Sequence, residues 1–143
     1  IEKYEVFKVY PFSLNVQIER TNFLAKINNN GKIYIVGSNG KLSKDNLLNE
    51  NLPFIFGKPT VEEFFKFKNI IDLSKISYDQ IKNLFFFPSK RWDIELKNGV
   101  LLKLPRNNVK ISLNNIFELL SDKKLKNIKI VDGRINNQII LND

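Results

Sequence analysis

Apolar and polar residues alternate with a period of two along much of the chain, the pattern of strands with one face buried. The clearest stretch surrounds Asn98-Gly99. Trp92, Ile94 and Leu96 alternate with Asp93, Glu95 and Lys97, and Val100, Leu102 and Leu104 resume the pattern beyond the pair. Asn and Gly accept the positive φ of a type I′ turn, so Asn-Gly between two alternating runs predicts a hairpin. The same dipeptide at Asn30-Gly31 and Asn39-Gly40 brackets a short buried strand over residues 33–36. Nearer the start, Tyr4, Val6 and Lys8 alternate with Glu5, Phe7 and Val9; Pro11-Phe12-Ser13 interrupts, and Leu14, Val16 and Ile18 resume. That predicts another hairpin, joined by a proline-containing turn. Residues 38–51 are polar and loop-like, and lead into a short extended segment stopped by Gly57 and Pro59. Ile81 and residues 84–87 predict a strand ending at Pro88. Ile128, Ile130 and Asp132 alternate before Gly133, and residues 134–141 read as a last hairpin whose final strand lies near the terminus.

The period lengthens to that of a helix in two places. Thr60, with Glu63 three residues on, forms a capping box, and Val61, Phe64, Phe65 and Lys68 follow on one stripe. Glu62 and Glu63 then occupy the positive first turn, where the helix dipole holds carboxylates ionised, a poor setting for catalytic acids. A second helix is predicted from Ser112 to near Asp122. Ile111 and Ile116 stand at the spacing of a hydrophobic staple, and Leu113, Ile116, Phe117 and Leu120 form the buried side. Strands, helix, strands, helix, strands define an α+β fold: a mostly antiparallel sheet with two or three helices.

Composition narrows the chemistry. The 143 residues contain no His, Cys or Met. Without imidazole or thiol there is no Ser-His-Asp or Cys-His nucleophile, no zinc finger, and no haem or iron–sulfur ligation. Carboxylates occur singly with no D-x-D-x-D loop, so no metal or cofactor is expected, and Ser89-Lys90 sits adjacent in a turn instead of being spaced as a dyad along a helix. The expectation is a protein that is not an enzyme. No apolar run approaches the roughly 18–20 residues of a membrane span. A chain that starts at Ile1 and lacks Met is expected to be part of a longer product.

The formal charge of +8 comes from 23 Lys and Arg against 15 acids. Only Arg20, Arg91, Arg106 and Arg134 are arginines, the residues suited to bidentate reading of bases and phosphates. The lysines lie scattered among apolar positions, and Lys, Asn, Ile and Phe share A/T-rich codons. A solvated surface explains the charge, and a basic nucleic-acid-binding domain stands as the alternative. Trp92 is either a hairpin aromatic on the core or a stacking or partner-binding anchor. Phe85, Phe86 and Phe87 point to both faces of a strand, so either both faces are covered or one ring is free for a partner. Residues 138–141 (Gln-Ile-Ile-Leu) form a β-prone, uncharged strand near the end of the chain. If that strand lies at a sheet edge, it is either covered by a neighbour or available for strand addition by another chain.

Four segments resemble the FtsQ/DivIB family of bacterial cell-division proteins. They are Tyr10-Pro11-x-x-Leu14-x-Val16-x-Ile18-Glu19-Arg20 with Ala25; Leu52-Pro53-x-x-x-Gly57; Arg91-Trp92-x-Ile94-x-Leu96-x-Asn98-Gly99-Val100 with Leu104-Pro105; and Ile130-Val131-Asp132-Gly133-Arg134. The resemblance implies the end of a POTRA-like module at residues 1–25, a partial hairpin, followed by an FtsQ-type β domain at 26–143. It implies a periplasmic chain on a single-pass inner-membrane protein whose anchor lies upstream. It further implies a divisome scaffold that binds the FtsB and FtsL periplasmic segments, among other divisome proteins, and no nucleic acid. By the same resemblance FtsB adds a strand beside the closing strand, which places the contact on Arg134, Ile135, Asn136, Asn137, Gln138, Ile139 and Ile140, with Lys90 and Arg91 as electrostatic neighbours. Gly133 departs from the family's Leu or Met and suits a bulge; Ile135 stands where relatives carry Tyr.

Overall fold

The computed structural model describes residues 22–44, 51–122, 127–134 and 140–142. The first predicted hairpin and the partial POTRA-like module lie outside these residues up to position 21. Asn30 and Gly31 take φ of +55° and +86° and join β1 (Phe23–Asn29) to β2 (Lys32–Gly37) through a two-residue turn. Both residues are left-handed, as a type I′ turn requires. Within the segment expected to be a loop, β3 (Leu42–Lys44) pairs antiparallel with β2. That short strand was not legible because Ser43 and Lys44 break its apolar pattern. At Asn39-Gly40 and Asn98-Gly99 only the glycine turns left-handed, at φ +82° and +93°. The Val100 carbonyl accepts the Leu96 amide, so the hairpin from β6 (Trp92–Leu96) to β7 (Leu101–Lys103) closes through a three-residue loop.

Between these hairpins, β4 (Phe54–Phe56) leads into α1 (Val61–Leu73), followed by a 3₁₀ turn at Tyr78–Gln80 and β5 (Ile81–Phe86). The chain then continues through β6, β7, α2 (Val109–Leu120), β8 (Ile130–Asp132) and β9 (Ile140–Asn142). Among the described residues the nine strands form one sheet in the order β3-β2-β1-β4-β5-β6-β7-β8-β9. Five neighbour pairs are antiparallel; β1–β4, β4–β5 and β7–β8 are parallel. Each parallel pair follows from a connection too long for a hairpin, and the helical crossover α1 links β4 to β5. β1 runs through the position assigned from sequence as the boundary between the two modules.

Directly opposed residues share a face, and the register brings one apolar row together: Ile27, Ile55, Leu84, Ile94, Leu102 and Val131. The last five are at most 1% exposed. Both helices contribute to this same core cluster.

The α1 capping box forms as expected: the Glu63 amide donates to Thr60 Oγ1 at 3.1 Å and the Thr60 amide to Glu63 Oε1 at 2.9 Å. Its buried stripe is Phe64, Phe67 and Ile71, with Phe65 only packed at the margin. The spacings 61, 64, 65, 68 and 64, 67, 71 both describe one face of a helix; packing against the sheet selects the second. Lys68 instead faces outward to Asp72 at 2.6 Å, with its ammonium 4.5 Å from the Tyr78 ring centre.

The second helix begins three residues earlier than expected. Starting at Val109 places that residue, Leu113 and Ile116 on one side, whereas Ile111 is 61% exposed and makes no staple. Phe117, expected inside, is 37% exposed.

Candidate functional site

The C-terminal edge of the sheet is built from β7, β8 and β9. The β8–β9 register opposes Ile130 to Asn142, Val131 to Leu141 and Asp132 to Ile140 with no shift. Gly133 therefore makes no bulge among these pairs. Its amide donates to the Lys103 carbonyl at 2.8 Å and extends the β7–β8 ladder. A Cβ at Gly133 would sit 2.7 Å from Ser112 Oγ, so the glycine lets the first turn of α2 lie against the end of β8.

On the face away from the helices, register aligns Asp93, Lys103, Asp132 and Ile140 across four strands. Charges alternate along this row, the favourable arrangement for directly opposed side chains. At its outer end Arg134 grips Asp132 with two bonds, Nε to Oδ1 at 2.9 Å and a terminal nitrogen to Oδ2 at 2.6 Å. Arg134 holds the Asp132 carboxyl below its ordinary value, mainly through that hydrogen bond. At the inner end Asp93 is 4% exposed. Burial pushes its carboxyl up, opposed by Arg91, which donates to Asp93 Oδ1, and by the Leu104 amide. Arg91 also donates to the Leu104 carbonyl at 3.2 Å and covers the Phe87 ring at 4.5 Å.

Of the residues predicted as the site, Arg134 and Ile140 lie beside the edge, and Ile140 is 44% exposed. Residues 135–139 (Ile135, Asn136, Asn137, Gln138, Ile139) lie outside the described residues. Lys90 turns left-handed at φ +70° in the β5–β6 connection and reaches Glu63 of α1 at 2.9 Å. Lys90 and Arg91 thus tie the start of β6 to α1 and to Asp93. Sequence reasoning missed Asp93, Lys103 and Asp132 as a set; the turn at Asn98-Gly99, which pairs 93 with 103, was the available signal.

The aromatic alternatives resolve as well. Trp92 is 7% exposed and stacks on Phe67, with ring centres 4.5 Å apart and planes 7° off parallel. It is a core residue. Phe86 joins it from the same side at 4.8 Å, and Phe85 stacks on Phe56 across the other face at 5.0 Å. Among the described residues no three carboxylates converge to hold a metal ion.

These features define an α+β domain with a single open sheet, helices on one face and a short C-terminal strand at one end. A family model described as cell division protein FtsQ/DivIB, C-terminal, matches residues 25–134. The chain belongs to the FtsQ/DivIB family of cell-division proteins. The cell division protein FtsQ of Bradyrhizobium diazoefficiens is 22% identical over 144 residues, covering 95% of this chain and 41% of that relative. The chain thus spans about two fifths of the curated relative it matches. Among solved structures, the major extracytoplasmic domain of the trans isomer of the cell division protein DivIB from Geobacillus stearothermophilus aligns with a TM-score of 0.50 at 13% identity. That alignment covers 76% of this chain and 99% of the other, and at this identity it shows the fold alone.

Proposed function

We propose that this chain is a non-enzymatic interaction module of a divisome scaffold, facing the periplasm on a protein anchored in the inner membrane by an upstream segment. Residues 1–25 close a POTRA-like module and residues 26–143 form the binding domain. The module takes a strand from FtsB, within the FtsB–FtsL complex, along its C-terminal sheet edge. It thereby recruits or regulates septal peptidoglycan synthesis. The observation that carries this reading is the position of β9: among the described residues it ends the strand order and has β8 as its hydrogen-bonded neighbour. An edge strand presents backbone donors and acceptors to any extended segment of matching pattern. Family membership supports the division role, and among the described residues no helix is long and apolar enough to cross a membrane.

The test is titration of the 143-residue chain with an FtsB periplasmic segment, followed by calorimetry. Ile139→Glu and Ile140→Pro are expected to abolish binding while the circular dichroism of the domain is retained. Unchanged affinity in both variants refutes the edge.

A further inference from the structure

β1, β4 and β5 run parallel side by side, a small block of α/β geometry inside a mostly antiparallel sheet. From its carboxyl end β4 passes into α1, whereas β1 turns away through Asn30-Gly31 into β2. The connections leaving these two neighbours diverge. In open sheets that divergence leaves a crevice outside the carboxyl ends of the strands, where ligands bind.

Here the crevice is a cavity of about 370 Å³, within the span of small-molecule sites. Its floor belongs to the core: Val36, Ile55 and Phe64 are at most 2% exposed. Its mouth carries Asn30, Lys58 and Thr60, and no acidic residue lines it. Lys58 forms no ion pair with any described residue. The first turn of α1 is not the attraction, because Thr60 and Glu63 already cap each other's amides. An apolar floor with one cation at the rim selects an apolar body that ends in a negative charge.

We propose that this crevice binds an amphiphilic anion, a short acyl or aryl group seated over Ile55 and Phe64 with its anionic head against Lys58. The site is separate from the β9 edge and does not depend on it.

The test uses decanoate, decanol and decyltrimethylammonium, each below micelle formation, titrated into the ¹⁵N-labelled 143-residue chain. Decanoate is expected to shift the amides of Asn30, Lys58 and Val61 saturably, and decyltrimethylammonium to leave them in place. Lys58→Glu, at an exposed position, is expected to weaken decanoate about five- to tenfold, the scale of reversing one partly solvated charge, with decanol changed by less than twofold. Val61→Trp, which fills the cavity, is expected to remove both. Equal responses to decanoate and decyltrimethylammonium, shifts outside the crevice, or unchanged decanoate affinity in Lys58→Glu each overturn the proposal.

Discussion

Gly57 closes the Leu52-Pro53-x-x-x-Gly57 segment, and its environment makes a sharp prediction for Gly57→Ala. The residue follows β4 with φ +101°, and a Cβ there would lie 2.3 Å from the Phe86 carbonyl oxygen and 3.1 Å from the carbonyl carbon. Both atoms are main chain, so no rotamer change relieves the overlap. The end of β4 must move away from β5, where Phe56 opposes Phe85. A left-handed L-residue costs about 1–2 kcal/mol, and opening one or two ladder hydrogen bonds costs about 1 kcal/mol each. The expected loss is therefore about 3 kcal/mol.

Gly99→Ala supplies the control, because Gly99 has a similar φ of +93° but nothing within 4 Å of its would-be Cβ. Only the conformational part, about 1–2 kcal/mol, applies there. Urea unfolding followed by Trp92, the single tryptophan, separates the two. The midpoint of Gly57→Ala is expected to fall below that of Gly99→Ala by about 1 M for a urea slope of about 1–2 kcal/mol/M. Equal midpoints refute close backbone approach as the reason for the glycine.

Three further outcomes are expected. Thr60→Ala removes the α1 cap and lowers stability by about 1 kcal/mol in the same urea assay; no change would mean the capping box contributes nothing. Phe67→Ala empties the site stacked on Trp92, costs about 3–5 kcal/mol and shifts Trp92 emission to the red, whereas unchanged emission would contradict the stack. Asp93 and Asp132 should give opposite pH dependences. The raised Asp93 carboxyl favours the fold when protonated and loses that contribution as pH rises through its folded value; the lowered Asp132 carboxyl contributes at neutral pH and loses it on acidification. Urea titrations from about pH 3 to 7 should thus lose a falling component in Asp93→Asn and a rising one in Asp132→Asn. The same sign in both would refute the assignment.

The elements legible in the sequence were those whose signals are local. Alternation around Asn98-Gly99, the Thr60–Glu63 box and the apolar run before Pro88 depend on residues a few positions apart, and each marks a real element. What escaped depends on distant neighbours. β4 was legible as a short extended segment before Gly57, but its parallel pairing with both partners was not; nothing near it in sequence announces strands thirty residues away on either side. The start of α2 was misplaced because Ile111 looks like a staple residue, although Asn108, at φ +57°, already bounds the helix. Gly133 suggested a bulge, but its actual constraint is Ser112, twenty-one positions earlier in sequence. At the candidate site a strand near the terminus was legible, because a β-prone run is a local pattern; its place at the end of the strand order was not. The Asp93–Lys103–Asp132 row was not, since β8 reaches β7 only after α2 intervenes.

The charge of the chain also has a different meaning once the pairs are placed. Two of its four arginines, Arg91 and Arg134, direct their guanidinium groups at Asp93 and Asp132. Lys68, Lys75 and Lys90 likewise face Asp72, Glu118 and Glu63. These two planar forks, of the kind best suited to reading phosphates, are therefore engaged with carboxylates of the chain itself. The proposed strand addition at β9 would rely on backbone hydrogen bonds and apolar contact, which mobile ions screen little, whereas the proposed anion against exposed Lys58 would be screened over a Debye length of about 8 Å at physiological salt. Ionic strength thus separates the two sites: raising it should leave edge pairing nearly constant while weakening decanoate in the crevice.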